Sequence, residues 1–315
     1  MVRVPLSLRA NKRMLRTYQQ KQVTWIDLES PSEAEARAVG EELRLPVSII
    51  EQLILPTPKP RVELHSECVY LILHFPAHRR AHKSRGIEVD FVIGKDFIVT
   101  SHYEPVEALT NFGKIFEMEA VLNKGQSPHA GFIFCEMILR LYKELGHQLD
   151  AIEDTLKHME GRIFGGREKE MVGQLSQTGR ELLSFKQTLS PHDDILESFA
   201  AASRSFFGMD FEYYLTVILG QYRRVAASVE NLRDALGELR ETNNALLETK
   251  QNEIMHELTV IASIFLPLTL IAQIFSINAG GIPIVHENDG FWILLGIFIM
   301  VGVLTYAFFK YRRLL

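Results

Sequence analysis

Residues 258–277, "LTVIASIFLPLTLIAQIFSI", form an almost unbroken apolar run with a glutamine, Gln273, near its end. A primary amide left unpaired in hydrocarbon is costly, so Gln273 must meet water, another helix or an ion. Its neighbours in the helical repeat narrow the choice. Steps of seven back from Ser276 give Thr269, Ala262, Met255, Glu248 and Glu241. The companion positions are Gln273, Leu266, Thr259, Asn252 and Ala245, and the two series make one seam. Of the uncharged polar residues in the run, only Ser263 lies off it. Ordinary helix packing is one reading, because small and polar residues gather where transmembrane helices touch. The other is a ring of helices around an aqueous axis. Carboxylates suit a tight interface poorly, and the seam continues out of the apolar run into Asn252, Glu248 and Glu241. In a ring, Gln273 meets water or ions and the glutamates gather cations at the inner mouth.

Other residue sets carry weaker signals. His147, Asp150, Asp154 and His158 share a helical face at spacings suited to metal ligation, beside Glu153; a solvated helix face is the competing reading. His192-Asp193-Asp194 follows Pro191 and reads as a helix cap rather than a metal site. The run "HRRAHKSRG" from His78 reads as a solvated loop between strands. No nucleophile stands with a matched base and no glycine-rich phosphate loop is present, which argues against an enzyme, an ATP-driven pump and an organic cofactor. A formal net charge of −5 argues against nucleic acid as a partner. Cys68 and Cys135 are the only cysteines, with no spacing for a disulfide framework or zinc knuckle, as a reducing compartment favours.

The elements that must position the seam follow from local patterns. Alternation in "QVTWIDLE" predicts a strand, and Ser30-Pro31-Ser32-Glu33 then offers an N-cap serine, a proline at the first helical position and a capping-box glutamate. "PTPKPRVEL" is too proline-rich for helix and leads into a buried strand, "CVYLILHFP". "IEVDFVIG" and "DFIVTSHY" predict a hairpin around Gly94-Lys95-Asp96. After Glu104 helical periodicity takes over, broken at Gly165-Gly166, at Ser190-Pro191 and near Gly208. From Phe211 no proline occurs until Pro267, which predicts one helix to about Asn278. The expected organisation is an α+β cytoplasmic domain over 1–125 and a helical region over 126–257 that includes a long stalk helix. The stalk continues into a first transmembrane helix over 258–277; an outer loop (278–290), a second transmembrane helix (291–309) and a basic cytoplasmic tail (310–315) follow.

The connector "NAGGIPIVHENDG" holds no Lys or Arg, whereas Lys310, Arg312 and Arg313 close the chain, so the positive-inside rule puts the C-terminus in the cytoplasm. Two spans return the chain to the side it left, and the basic N-terminal stretch has no signal-peptide core, so the N-terminus is expected there too, in a plasma or inner membrane. Trp292 and Tyr311 fall near the ends of the second span, where interfacial aromatics belong. Two spans cannot enclose a polar path alone. A conducting form is therefore an oligomer with the first span innermost and the second facing lipid.

The run "QNEIMHELTVIASIFLPLTLIAQIFSINAGGIP", the second span and the terminal "KYRR" resemble the CorA-type divalent metal ion transporters, and the layout is similar over essentially the whole chain. The resemblance implies a homopentameric channel for Mg²⁺, often also Co²⁺ or Ni²⁺, with a zinc-transporting ZntB branch. It also implies regulatory Mg²⁺ between cytoplasmic acidic surfaces. The family signature Gly-Met-Asn, or Gly-Ile-Asn in the zinc branch, is here Ser276-Ile277-Asn278, and Gln273 replaces an earlier glycine. Asn278, the residue that meets the hydrated ion, is kept. Asn252, Met255, Leu258, Leu266 and Thr269 match family pore positions, the apolar ones as a hydrophobic gate.

Magnesium keeps its water and is held through it by oxygen donors such as Asn252, Thr269, Gln273 and Asn278, whereas zinc prefers His, Cys and carboxylate at close range. No His or Cys lies on the membrane part of the seam, which favours magnesium. The outer loop favours zinc, through His286, Glu287, Asp289 and a Gly-Gly-Ile-Pro similar to the zinc branch. Membrane potential suffices to drive uptake. A non-conducting membrane-tethered interaction or signalling protein on the same scaffold is the rival from another class, since both altered glycine positions fall on the seam.

Overall fold

The computed structural model describes residues 15–20, 22–76, 86–122, 129–208, 211–276 and 290–311. It divides into two units, Met1–Arg240 and Glu241–Leu315. The basic run from Ala77 to Arg85 lies outside the described residues.

In the first unit, apolar runs bounded by turn residues form a six-stranded sheet in the order β1-β2-β6-β5-β4-β3. The strands are β1 (Leu15–Gln20), β2 (Val23–Glu29), β3 (Arg61–Leu64), β4 (Val69–Phe75), β5 (Ile87–Ile93) and β6 (Phe97–His102). Only the β2–β6 pair is parallel, and β5–β6 is the expected hairpin, closed by the Gly94 N–H on the Phe97 carbonyl at 2.9 Å. A side chain at Gly94 would run into the Phe97 ring, which explains the glycine. Helices α1 (Glu33–Leu43) and α2 (Val47–Gln52) place Ala36, Val39, Ile49 and Ile50 in one core with Ile26, Leu28, Ile72, Val92 and Val99. Each fully buried Val, Leu or Ile side chain among them contributes roughly 1.5–3 kcal/mol of hydrophobic stabilisation. Trp25 and Phe91, from alternate positions, meet Phe112 of α3 (Glu107–Leu122) and Phe134 of α4 (Ala130–Phe164) on the other face.

The first helix starts two residues later than the sequence pattern suggests. Ser32, not Ser30, is the N-cap, and its reciprocal partner is Glu35 rather than Glu33. Ser30 adopts a left-handed φ of 52° because its N–H extends the parallel pairing to His102 O at 2.8 Å, and its hydroxyl donates to Tyr103 O. The chain must turn there before a helix can begin.

Helix α4 buries a stripe at three- and four-residue spacing, from Ile138 to Ile163. It packs on α5 (Glu168–Leu189) after a turn at Gly165-Gly166. Helix α6 spans His192–Phe207. Its N-cap is Pro191, without a side-chain cap; Asp193 and Asp194 occupy the first turn and His192 is turned inward. The capping role expected of the His-Asp-Asp run is therefore not a side-chain cap.

Helix α7 runs unbroken from Glu212 to Ser276. Its 65 residues extend about 100 Å at ~1.5 Å per residue, so it begins in the first unit and ends in the second. Helix α8 is Gly290–Tyr311. Among the described residues, α7 and α8 are the two helices long and apolar enough to cross a membrane.

Candidate functional site

In the second unit the seam of α7 is exposed along its whole length, from Glu241 and Glu248 through Asn252, Met255, Thr259, Ala262, Leu266, Thr269 and Gln273 to Ser276. Between Gln251 and Ser276 the covered or half-covered residues are Val260, Ser263, Ile264, Pro267, Leu268, Ile271 and Phe275. At 100° per residue these centre on the opposite side of the helix. On α8 the half-covered residues are Leu294, Ile297, Phe298, Val301, Gly302, Thr305 and Phe309, a second three-four stripe. Ala272, Phe275 and the seam residue Ser276 share a cleft with Phe291, Leu294, Leu295 and Phe298. Helix α8 thus stands beside the outer end of α7, on the side of Phe275, and meets the seam at Ser276.

The polar groups on the open face have a defined chemistry. The Thr259 hydroxyl donates to Met255 O and the Thr269 hydroxyl to Phe265 O, each at 2.7 Å. A hydroxyl that spends its hydrogen on its own helix presents lone pairs outward. Thr269 therefore offers an acceptor, and Gln273 and Ser276 carry side-chain oxygens on the following turns of the same exposed face, the donor type a hydrated hard cation takes. The gate residues expected on this helix are open apolar surface, with Met255 56%, Leu258 55% and Leu266 69% exposed. Pro267 has no N–H, so the Ser263 carbonyl lacks its helical donor within the apolar segment. Ile277, Asn278 and the outer-loop residues His286, Glu287 and Asp289 lie outside the described residues.

On α4, His147, Asp150, Asp154 and His158 are exposed. Asp154 is 3.9 Å from Lys157, and His147 is 3.8 Å from Glu144. Among the described residues no three His, Cys, Asp or Glu side chains converge to hold a metal ion within the chain. Cys68 and Cys135 are buried and free; burial pushes the Cys68 thiol up to about 11.

The first unit holds three buried polar constellations that local patterns do not announce. Asp27 accepts from the Thr100 hydroxyl at 2.6 Å and stands 3.3 Å from His102 Nε2, both residues 2% exposed. Burial opposes a charge on His102, but the bond and charge of Asp27 hold its pKa above the usual histidine value. His192 bridges Tyr142 and the main chain of His74. Asp90 takes the Tyr70 hydroxyl at 3.0 Å, and burial first, then the charge of Glu88, raises its carboxyl well above the ordinary range. All three residue sets join groups from different strands or helices, so only the assembled sheet reveals them.

A family model described as CorA-like Mg2+ transporter protein matches residues 20–312. The chain is 23% identical over 298 residues to the cobalt/magnesium transport protein CorA of Thermotoga maritima, covering 92% of this chain and 83% of that protein. It is 21% identical over 284 residues to the zinc transport protein ZntB of Pectobacterium atrosepticum, covering 88% and 84%. The complete structure of the CorA magnesium transporter from Methanocaldococcus jannaschii superposes with a TM-score of 0.80 at 18% identity, over 94% of this chain and 92% of that one.

Proposed function

Since this chain belongs to the CorA-like Mg2+ transporter family, and so is a divalent cation transporter rather than an enzyme, we propose that it conducts Mg²⁺ through a homopentamer whose axis is lined by the α7 seam. The observation that supports the proposal is the division of α7 into two faces: one exposed and carrying side-chain oxygens, the other half-covered, with α8 beside its outer end. In the ring, Thr269, Gln273, Ser276 and Asn278 meet the hydrated ion. Leu258, Met255 and Leu266 form a constriction that resists wetting, and Asn252, Glu248 and Glu241 collect cations at the inner mouth. Both termini lie inside a plasma or inner membrane, and α8 faces lipid. A divalent ion entering an inside-negative cell with ~150 mV gains about 7 kcal/mol, so uptake needs no other energy source.

Zinc is the second reading, favoured by His286, Glu287 and Asp289 and by relatives that are zinc transport proteins. The seam itself carries no His or Cys, and that supports magnesium.

The test is flux of Mg²⁺, Co²⁺, Ni²⁺ and Zn²⁺ into liposomes holding the purified full chain, under an inside-negative potential. Mg²⁺ entry is expected, together with inter-subunit crosslinks through cysteine introduced at Thr269. Zinc flux without magnesium flux would favour the ZntB-type reading, and no flux of any of these ions would favour a non-conducting scaffold.

A further inference from the structure

Glu88 and Asp90 stand two residues apart on β5, on one face of the sheet, and are 7% and 0% exposed. Glu88 lines a cleft of about 280 Å³ that opens between the Pro56-Thr57-Pro58 segment, the end of β4 and Tyr103. Both of its carboxylate oxygens accept the Thr57 N–H, at 2.8 and 2.7 Å. Asp90 lies deeper. Its Oδ2 takes the Tyr70 hydroxyl, but its Oδ1 is buried without a partner. Ser101, directly opposite Asp90 in the β5–β6 register, is also 0% exposed, and its hydroxyl has no partner either. A fully buried acceptor and a fully buried hydroxyl thus stand side by side next to a second carboxylate, and neither has a hydrogen-bond partner among the described residues.

Among the described residues, the charges around this pair offset two anions only in part: the charge of Arg61 favours the ionised Asp90, but burial and Glu88 outweigh it. On β3, Arg61 is engaged with Glu63 at 2.8 Å. On β4, His74 donates from Nε2 to Thr57 O at 3.0 Å, with Glu88 Oε2 at 3.3 Å, and its Nδ1 is buried and unpaired. Beyond β6 come Tyr103, whose hydroxyl donates to Gln52 O, and Glu104, a further carboxylate on the cleft. Two like charges this close in a buried site cannot both persist without a compensating cation, and one of them is relieved most simply by a proton.

We infer that Glu88 and Asp90 bind one exchangeable proton between them, and that this proton seats the Pro56-Thr57-Pro58 segment on the sheet. With the proton on Asp90, its O–H donates to the Glu88 carboxylate, and the remaining single charge accepts the Thr57 N–H. When the proton passes to water, two adjacent anions remain. Glu88, which alone of the pair borders the open cleft, turns towards solvent, and Thr57 loses its acceptor. His74 loses its hold on Thr57 O in the same step, and the His74 carbonyl carries the bond to His192 at the start of α6. The first unit thereby senses pH through the Pro56-Thr57-Pro58 segment.

Hydrogen exchange on the full chain in lipid, from mildly acidic to mildly alkaline pH, tests this without relying on transport. The peptide covering residues 53–60 is expected to lose protection as pH rises, beyond the change seen in a control peptide from the middle of α4. Asp90→Asn, an uncharged isostere of the protonated form, is expected to keep that protection at every pH, and so is Glu88→Gln, which serves if the first variant fails to fold. Liposome flux is expected to depend on the pH facing the first unit in the natural protein and to lose that dependence in Asp90→Asn. A 53–60 peptide that tracks the control peptide, or an Asp90→Asn variant with the natural pH response, would overturn the inference even if the protein transports magnesium.

Discussion

His192, at the start of α6, lies 2.8 Å through Nε2 from the main-chain oxygen of His74 in β4, a residue 118 positions earlier. A carbonyl only accepts, so Nε2 carries the hydrogen, and Nδ1 accepts the Tyr142 hydroxyl at 2.8 Å. The ring is fully buried and packs edge-on against Phe75. One neutral imidazole thus ties a strand to two helices, with both nitrogens used.

Burial pushes His192 down to about 4, and the bond to His74 opposes this only in part. The unfolded chain, with an ordinary value near 6.5, takes up the proton first as pH falls. Stability is therefore full above that value and declines towards about 4, with a total of about 3 kcal/mol at stake. Thermal unfolding of the full chain should show this acid slope. His192→Leu is expected to flatten it while lowering stability near neutrality by about 1–3 kcal/mol, because Tyr142 and the His74 carbonyl lose their partner. A variant that keeps the full slope would assign the titration elsewhere.

His102 shows the opposite sign. Its folded value is raised by Asp27, so the stability it contributes is complete below the unfolded value and fades as pH rises through the folded one. Asp27→Asn should remove that decline and lower stability at and below neutrality, since burial then leaves the imidazole neutral with no anion to hold its proton. Denaturant titrations of both proteins at neutral and alkaline pH measure the two quantities. An alkaline decline that survives in Asp27→Asn would show that His102 does not drive it.

The sequence revealed elements whose causes are local. Strands β2, β4, β5 and β6 are apolar runs bounded by turns, and α7 shows itself through the lack of proline from Phe211 to Leu266 and through the exposed seven-residue seam. Strands β1 and β3 escaped because they are sheet edges, half-exposed and polar, as "LRTYQQ" and "RVEL" show. The misplaced cap had a tertiary cause: Ser30 is held by His102, and no pattern near Ser30 records that bond. The parallel pairing of β2 with β6 and the polar pairs it brings together join residues about 75 positions apart, so they have no local signature.

Closure by cytoplasmic metal is the regulation that the family resemblance implies, and it can be tested directly. Raising free Mg²⁺ on the side of the first unit should lower flux, and chelation there should raise it, because cations bridging neighbouring subunits favour one arrangement of the ring. Asp150→Asn with Asp154→Asn tests the exposed α4 face. A higher Mg²⁺ requirement for closure in the double variant would assign that face to regulation, and an unchanged requirement would leave it a solvated helix surface. Flux indifferent to Mg²⁺ on that side would refute closure by metal altogether.

Gln273 decides between the pore and the packing readings of the seam. It is exposed one turn beyond Thr269, whose hydroxyl lone pairs face the same way. In a ring, one Gln273 from each protomer narrows the path with amides where relatives of the resemblance have bare backbone, yet keeps it rich in acceptors. Gln273→Gly should then raise Mg²⁺ flux or alter selectivity without loss of assembly, while Gln273→Leu should stop conduction, because an apolar constriction resists wetting. Asn278→Ala should abolish the preference for Mg²⁺ whatever occupies position 273. If Gln273 instead bonds a neighbouring helix, Gln273→Gly should lower oligomer stability by about 1 kcal/mol and leave ion choice alone. Flux of competing divalent ions, measured beside the thermal stability of the assembled oligomer, separates the two. A glycine variant that loses stability with unchanged selectivity would put Gln273 in the helix interface and leave the acceptor face to Thr269 and Ser276.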